Sequence, residues 1–240
     1  MTMTKETLDR ILELNPLEQF EVDGRKYYAL GGRVCTIEAP KQRSFDVASL
    51  TAICDYFSRN PDGLDLSKVI VHIVDPRHVH LMSPPSEDWK VRDFFLAAES
   101  KPKAYPFGQP LDVESFIVAL QTYFVPSDTT AALQKMVSSI TDQESIAYDD
   151  DGLGQTVTAK SGIARLATVP VPNPVELAPY RTFLEVLQPT SAFIFRLSKG
   201  ARGPQCVLHE ADGGNWQLEA VMDIRSYLQD KLPEGTVILA

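Results

Sequence analysis

Three histidines stand close together, His72, His78 and His80. Residues 78 and 80 of an extended strand point to one face. Two imidazoles beside a carboxylate can hold zinc or another divalent ion. His78 and His80 are therefore the candidate metal pair. No Asp or Glu stands at a distinctive spacing to complete the set, and strand-surface or hydrogen-bonded histidines explain the same residues. The second candidate group is cationic. Arg165, Arg181 and Arg196 fall in a strand-rich stretch, with Tyr180 beside the second of them. If residues 180–187 and 191–197 form a hairpin, Arg181 and Arg196 sit on adjacent strands. Two guanidinium groups there could clamp a phosphate or carboxylate, with Tyr180 and Phe183 available for stacking. They could equally pair with Glu185 and Glu210.

Other acidic and glycine-rich stretches carry less. Asp149, Asp150 and Asp151 are consecutive, whereas a calcium loop alternates its acids and ends on a distal glutamate. They read as a turn with a solvated tip. Glu210 and Asp212 could share a metal or a proton, but Gly213 and Gly214 follow, so a turn that starts a helix explains them too. Lys199-Gly200 reverses the order of a phosphate-binding loop. Lys160-Ser161-Gly162 lacks the first glycine of a nucleophile elbow. Gly152 and Gly154 lack the third glycine of a dinucleotide fingerprint.

The elements that must position these residues follow from periodicity. Leu8, Ile11 and Leu12 predict an amphipathic helix over 4–14, ended by Asn15-Pro16. Asp23-Gly24 between apolar-rich segments predicts a hairpin, and a third strand runs from Arg33 to Glu38. Leu50, Ile53, Cys54 and Phe57 form the stripe of a helix that Ser44 or Asp46 would cap and Asn60–Gly63 would stop. Val69–Val74 is a β-branched run and reads as a buried strand, followed by a second strand over His78–Met82. Residues 83–110 hold five prolines and read as loop, interrupted by a short helix over Trp89–Ala98. Asp112 caps a helix striped by Val113, Phe116, Ile117, Leu120 and Phe124. A further helix spans 128–141.

From residue 145 strands dominate. A hairpin over 146–160 precedes a proline-rich linker, Val169–Pro179. Strands are predicted over Tyr180–Leu187, Ser191–Leu197 and Gln205–Glu210. Trp216–Leu232 reads as helical in its second half, Asp223–Leu232, and a last strand, Val237–Leu239, completes the chain. The pattern predicts an α+β fold with mainly antiparallel sheets and several interspersed helices. A boundary near residue 144 would separate a hairpin-plus-helix region, 1–144, from a strand-rich region, 145–240. One interwoven domain is the alternative.

The 240 residues carry 23 basic and 32 acidic groups, a net charge of −9. The excess is spread over both halves, so no basic surface of the kind that phosphate neutralisation needs is visible. Direct nucleic-acid binding is not favoured. No apolar run approaches a membrane span, and residues 1–14 do not resemble a secretory signal, so a cytoplasmic protein is expected. Cys35, Cys54 and Cys206 are an odd number at no metal spacing and read as small buried hydrophobes.

Five stretches carry a family resemblance: Asp62–Leu66 running into Val69–Val74; Phe107-Gly108 with Asp112–Glu114 and Leu120-Gln121; Asp150–Gly152 with Gln155 and Val157-Thr158; Pro172–Val175 with Pro179–Phe183 and Gln188-Pro189; and Glu210–Trp216. Over most of its length the chain resembles a family of phage and prophage early-region proteins of unknown function. The resemblance implies a bacterial host cytoplasm and a gene neighbourhood of recombination and single-strand-binding proteins. It brings no catalytic residue and no cofactor.

The expected function is a non-enzymatic protein that assembles into a homo-oligomer, a ring or shell, with a capsid-like fold as one form. Hairpins able to reach a neighbouring subunit and the proline-rich segment motivate this. Two alternatives stand beside it. One is an anti-defence protein that sequesters a nucleotide signal through the arginine set. The other is an accessory factor in phage recombination or replication, acting through phage or host proteins.

Overall fold

The structure is a computed structural model describing residues 5–6, 10, 18–22, 25–30, 33–37, 43–86, 90–141, 145–150, 155–160, 166–170, 173–201 and 203–240. Most of the helix expected over 4–14 lies outside them. The first hairpin forms as its Asp-Gly signal predicts. Strands β1 (Glu18–Val22), β2 (Arg25–Leu30) and β3 (Arg33–Thr36) make an antiparallel three-stranded sheet.

A second sheet holds β4 (Phe45–Val47), β5 (Ile70–Asp75), β6 (His78–Met82), β7 (Phe94–Glu99) and β15 (Val237–Leu239). Its order is β15-β5-β6-β7-β4, with the two outer strands parallel to their neighbours and the inner pairs antiparallel. Helix α1 (Leu50–Arg59) lays Leu50, Ile53, Tyr56 and Phe57 on one face. Its cap is Ser49, which accepts from Ala52 N, and not Ser44 or Asp46. Residues 45–47 instead add an edge strand to β7. Asn60, in the left-handed region at φ 41°, closes the helix as the Asn-Pro-Asp-Gly signal predicts.

The short helix expected over Trp89–Ala98 does not form: β7 occupies its second half, and 90–93 are irregular. The run Phe94-Phe95-Leu96 suits a helix stripe as well as a strand. Pairing with β6 on one side and β4 on the other decides the matter.

Asp112 caps α2 (Val113–Tyr123) by accepting from Ser115 N at 2.9 Å, and α3 (Asp128–Thr141) follows. A cap of this kind stabilises a helix by about 1 kcal/mol. Both helices cover the four-stranded antiparallel sheet β12-β13-β14-β8. Its strands are β8 (Leu111–Asp112), β12 (Val175–Leu177), β13 (Ser191–Gly200) and β14 (Gly203–Glu210). Strands β9 (Ser145–Asp150), β10 (Gln155–Lys160) and β11 (Leu166–Pro170) form a separate antiparallel sheet. The last strand of that sheet and β12 take up parts of the stretch expected to be a linker.

Helix α4 (Trp216–Lys231) returns to the five-stranded sheet and buries Ile224 and Leu228 there. Among the described residues there are four α-helices and four sheets, an α+β architecture with mostly antiparallel strands. The strand order gives no support to the capsid-like form. A cut at residue 144 would separate paired strands in two sheets, because β8 joins β14 and β15 joins β5.

Two cores result. One is aromatic, built from Tyr105, Phe116, Phe124, Phe193 and Phe195 with Phe107 packed against it. The other is mainly aliphatic, built around Leu50, Ile53, Val71, Ile73, Val79 and Leu81. Residues 178–190 connect them and are irregular, so the strand expected over Tyr180–Leu187 is absent.

Candidate functional site

Arg181 lies in the connector and is 4% exposed. Its Nη1 donates to Glu210 Oε1 at 3.0 Å and its Nη2 to Ser191 Oγ. Ser191 Oγ donates in turn to Asp212 Oδ2 at 2.7 Å. The guanidinium lies 4.2 Å from the centre of the Trp216 ring and 5.8 Å from that of Phe193. Such stacking is electrostatically favourable and stronger when desolvated. Burial pushes the Arg181 pKa down, while Glu210 and Asp212 act in the opposite direction. The group is still a cation at neutral pH.

The pairing with Glu210 is one of the two readings its sequence position allowed. Glu185 does something else: its Oε1 accepts from Thr51 N and Oγ1 at the start of α1. Burial works to raise the Asp212 carboxyl. Hydrogen bonds from Ser191, Gly214 N and Trp216 N, with the charge of Arg181, hold it below its ordinary value. Asp212 thus organises the turn into α4.

The backbone around Arg181 is bonded to both cores. Gln188 Oε1 accepts from Arg181 N and Thr182 N at 2.9 and 3.2 Å. Arg77 Nε donates to Arg181 O, Thr182 Oγ1 donates to Pro76 O, and Ser100 Oγ donates to Thr182 O. Phe183 is fully buried in the aliphatic core, so it is no stacking platform for a ligand. Arg181 is a rivet between the cores rather than a ligand clamp.

The other predicted ligand-binding residues are not gathered around it. Arg196 sits in β13 between buried Phe195 and Leu197, and so on the opposite face from Ser191, the strand residue that Arg181 touches. The adjacent-strand arrangement fails because residue 181 is not in a strand. Arg165 lies outside the described residues. Tyr180 is half-buried and borders a cleft with Lys101 and Lys103.

His78 and His80 do share a face, together with His72, which pairs with His80 across β5 and β6. His78 Nδ1 is 2.8 Å from Asp75 Oδ2, and its Nε2 is 3.9 Å from Glu99 Oε1. His80 meets Phe94 edge-on, with ring centres 5.6 Å apart. Burial lowers the His80 pKa, the neighbouring His72 and His78 lower it further, and Asp75 opposes them. Among the described residues no group of three or more His, Cys, Asp or Glu side chains is placed to hold a metal. The cysteines are free thiols. Burial pushes Cys206 up to about 12 and raises Cys54 as well, which makes both poor nucleophiles.

Compared with protein-family models, curated proteins and solved structures, the chain matches none.

Sequence reasoning missed Trp216, Ser191, Lys101 and Lys103. The Lys101-Pro102-Lys103 triplet was a visible signal for the last two. Nothing local marked Trp216 as a partner of Arg181. The same holds for the part-exposed second face of the five-stranded sheet. Helices α1 and α4 cover the face bearing Val71, Ile73, Val79 and Leu81. The other face carries three cross-strand rows. Val237, Ile70, Met82 and Phe94 form an apolar row. Leu239, His72, His80, Ala97 and Asp46 form a mixed row, and His78 with Glu99 a polar one. No described helix is long and apolar enough to cross a membrane.

Proposed function

We propose that the chain is a non-enzymatic phage or prophage protein that works in the host cytoplasm as a homo-oligomer, with the open face of the five-stranded sheet as its self-contact. The observation that carries this reading is the apolar row. Phe94 and Val237 at its ends are 44% exposed, and Leu239 beside it is 49% exposed. Met82 inside the row is 6% exposed, so the apolar surface lies at its two ends, and exposed apolar side chains gathered on one sheet face beside polar groups mark a contact site.

A second copy fits this face on charge. Asp46 and Glu99 stand on it close to the histidines and to Lys101, so both signs are present for self-complementary pairing. A two-fold axis through the apolar row sets that row against its own copy, as an isologous dimer requires. A ring or shell needs a second, different contact. Outward-facing Leu218 and Met222 on α4, 69% and 56% exposed, supply apolar surface for one.

Native mass over a range of protein concentrations tests the reading. A dimer or larger closed species is expected, and Phe94→Glu should shift it to monomer while the melting temperature of the subunit is kept. A monomer at tens of micromolar, or an oligomer indifferent to Phe94→Glu, counts against it.

A further inference from the structure

We propose that the cleft at the seam between the two cores binds a small organic anion that carries a flat ring, of the size and chemistry of a nucleoside monophosphate. The cleft has a volume of about 830 Å³, and its walls include Ser49, Lys101, Lys103, Tyr180, Leu184 and Glu185. Binding sites for small molecules fall in roughly this size range and favour seams between packed units.

The walls are fixed before any ligand arrives. Thr51 N and Oγ1 bond Glu185 Oε1 at 3.2 and 3.3 Å, tying the start of α1 to the connector. Ser100 Oγ bonds Thr182 O at 3.0 Å, tying the exit of β7 to the same connector. Tyr180 N bonds Tyr123 O at 2.8 Å, tying it to the end of α2. A preformed cleft spares the ligand the cost of ordering loops.

The lining sets the chemistry. Tyr180, Pro102 and Leu184 offer apolar surface, and Leu184 is 74% exposed, so a flat ring laid against it removes that surface from water. Opposite in character are two ammonium groups. Lys101 Nζ pairs with Glu99 at 2.9 Å. Lys103 Nζ lies 5.4 Å from the centre of the Tyr123 ring, with no carboxylate at ion-pair distance among the described residues. The acid on the wall, Glu185, is already bonded to Thr51. Lys103 is therefore the ammonium of the lining without a carboxylate partner among the described residues, and it is the group left to meet an anion. One ligand satisfies both halves: a ring for Tyr180 and Leu184 and an anionic group for Lys103.

The cleft is formed within one chain, so this inference does not depend on self-association. Calorimetry on the full chain with adenosine monophosphate tests it, with adenosine and inorganic phosphate as separate arms. One site per chain is expected for the monophosphate, with each fragment weaker by roughly tenfold or more, because each meets only half of the lining. Lys103→Ala should weaken the monophosphate by roughly tenfold, Lys103→Arg should keep it, and added salt should weaken it. Lys68→Ala, whose ammonium pairs with Asp65 away from the cleft, should leave it unchanged. Both lysines are exposed, so the variants fold. Absence of saturable heat from the monophosphate, equal affinity in Lys103→Ala, or phosphate binding as tightly as the monophosphate overturns the proposal. Native mass, recorded in parallel, reports the self-association reading separately.

Discussion

The two cores differ in what builds them. The aromatic core draws on rings that meet at defined angles: Phe193 stacks on Phe107 at 5.1 Å and meets Phe124 edge-on at 6.3 Å. Its sheet centres on the long hairpin β13–β14, whose partners are close in sequence. The aliphatic core depends on strands brought from far apart, with β15 lying parallel to β5 and β4 parallel to β7. Its centre is β-branched and leucine side chains, with Tyr56, Phe57, Phe95 and Phe183 buried around them. The sheet of the first core is therefore centred on a local hairpin, and that of the second is closed by long-range pairing. Arg181, with one guanidinium among Glu210, Ser191 and Trp216 and a backbone bonded to Arg77 and Gln188, is where the two meet.

The largest effect should come from breaking ring packing. Phe193→Ala should cost about 3–5 kcal/mol, whereas Ile73→Val in the other core should cost about 1 kcal/mol. Chemical denaturation of both variants measures the contrast. Similar losses would mean that the cores are not distinct in how tightly they are specified.

Next comes the rivet. Arg181→Ala removes charge-assisted hydrogen bonds and should cost about 2 kcal/mol. It should also split one denaturation transition into two, as fluorescence and circular dichroism followed together would show. A single sharp transition would mean that the Ser100–Thr182 and Arg77 bonds couple the cores unaided.

A smaller and opposite effect is expected inside the aromatic core. The Tyr105 hydroxyl is buried and has no hydrogen-bond partner among the described residues. Tyr105→Phe removes it and should stabilise the fold by about 1 kcal/mol. Destabilisation would show that the hydroxyl is satisfied in solution.

The smallest effect belongs to the open face of the aliphatic sheet. His80 has a folded pKa below its ordinary 6.5. The unfolded chain then takes up the proton first, so this contribution is full above that value and is lost as pH falls through it. Burial of the ring, then His72 and His78 on the same face, with Asp75 acting against them, set the extent. Stability measured between pH 7.5 and 5.5 should fall less steeply in His80→Gln than in the parent, and self-association should weaken over the same window. Identical slopes would remove His80 from the face's charge balance.

Much of the local structure was legible. Asp23-Gly24 marked the first hairpin, Asn60–Gly63 the end of α1, and Asp112 the start of α2, because each acts through its own backbone neighbours. The site was legible in pieces only. The shared face of His78 and His80 followed from strand period, and the Arg181–Glu210 pair was one of two open readings. Two stretches misled. Phe94–Ala98 fits a helix stripe and a strand equally, and only its neighbours β6 and β4 select the strand. Tyr180–Leu187 has a strand's composition, yet its backbone bonds are taken by Gln188, Tyr123 and the Pro76–Arg77 turn.

The sequence by itself determined the α+β class, the caps and turns, and the apolar faces that had to be buried, since these rest on interactions within a few residues. Tertiary structure decided the strand orders, the two cores, the placing of Trp216 under Arg181, and the cleft shared by Lys103 and Tyr180. Each of those depends on segments tens to hundreds of residues apart, and no local period records which distant partner a buried face will choose.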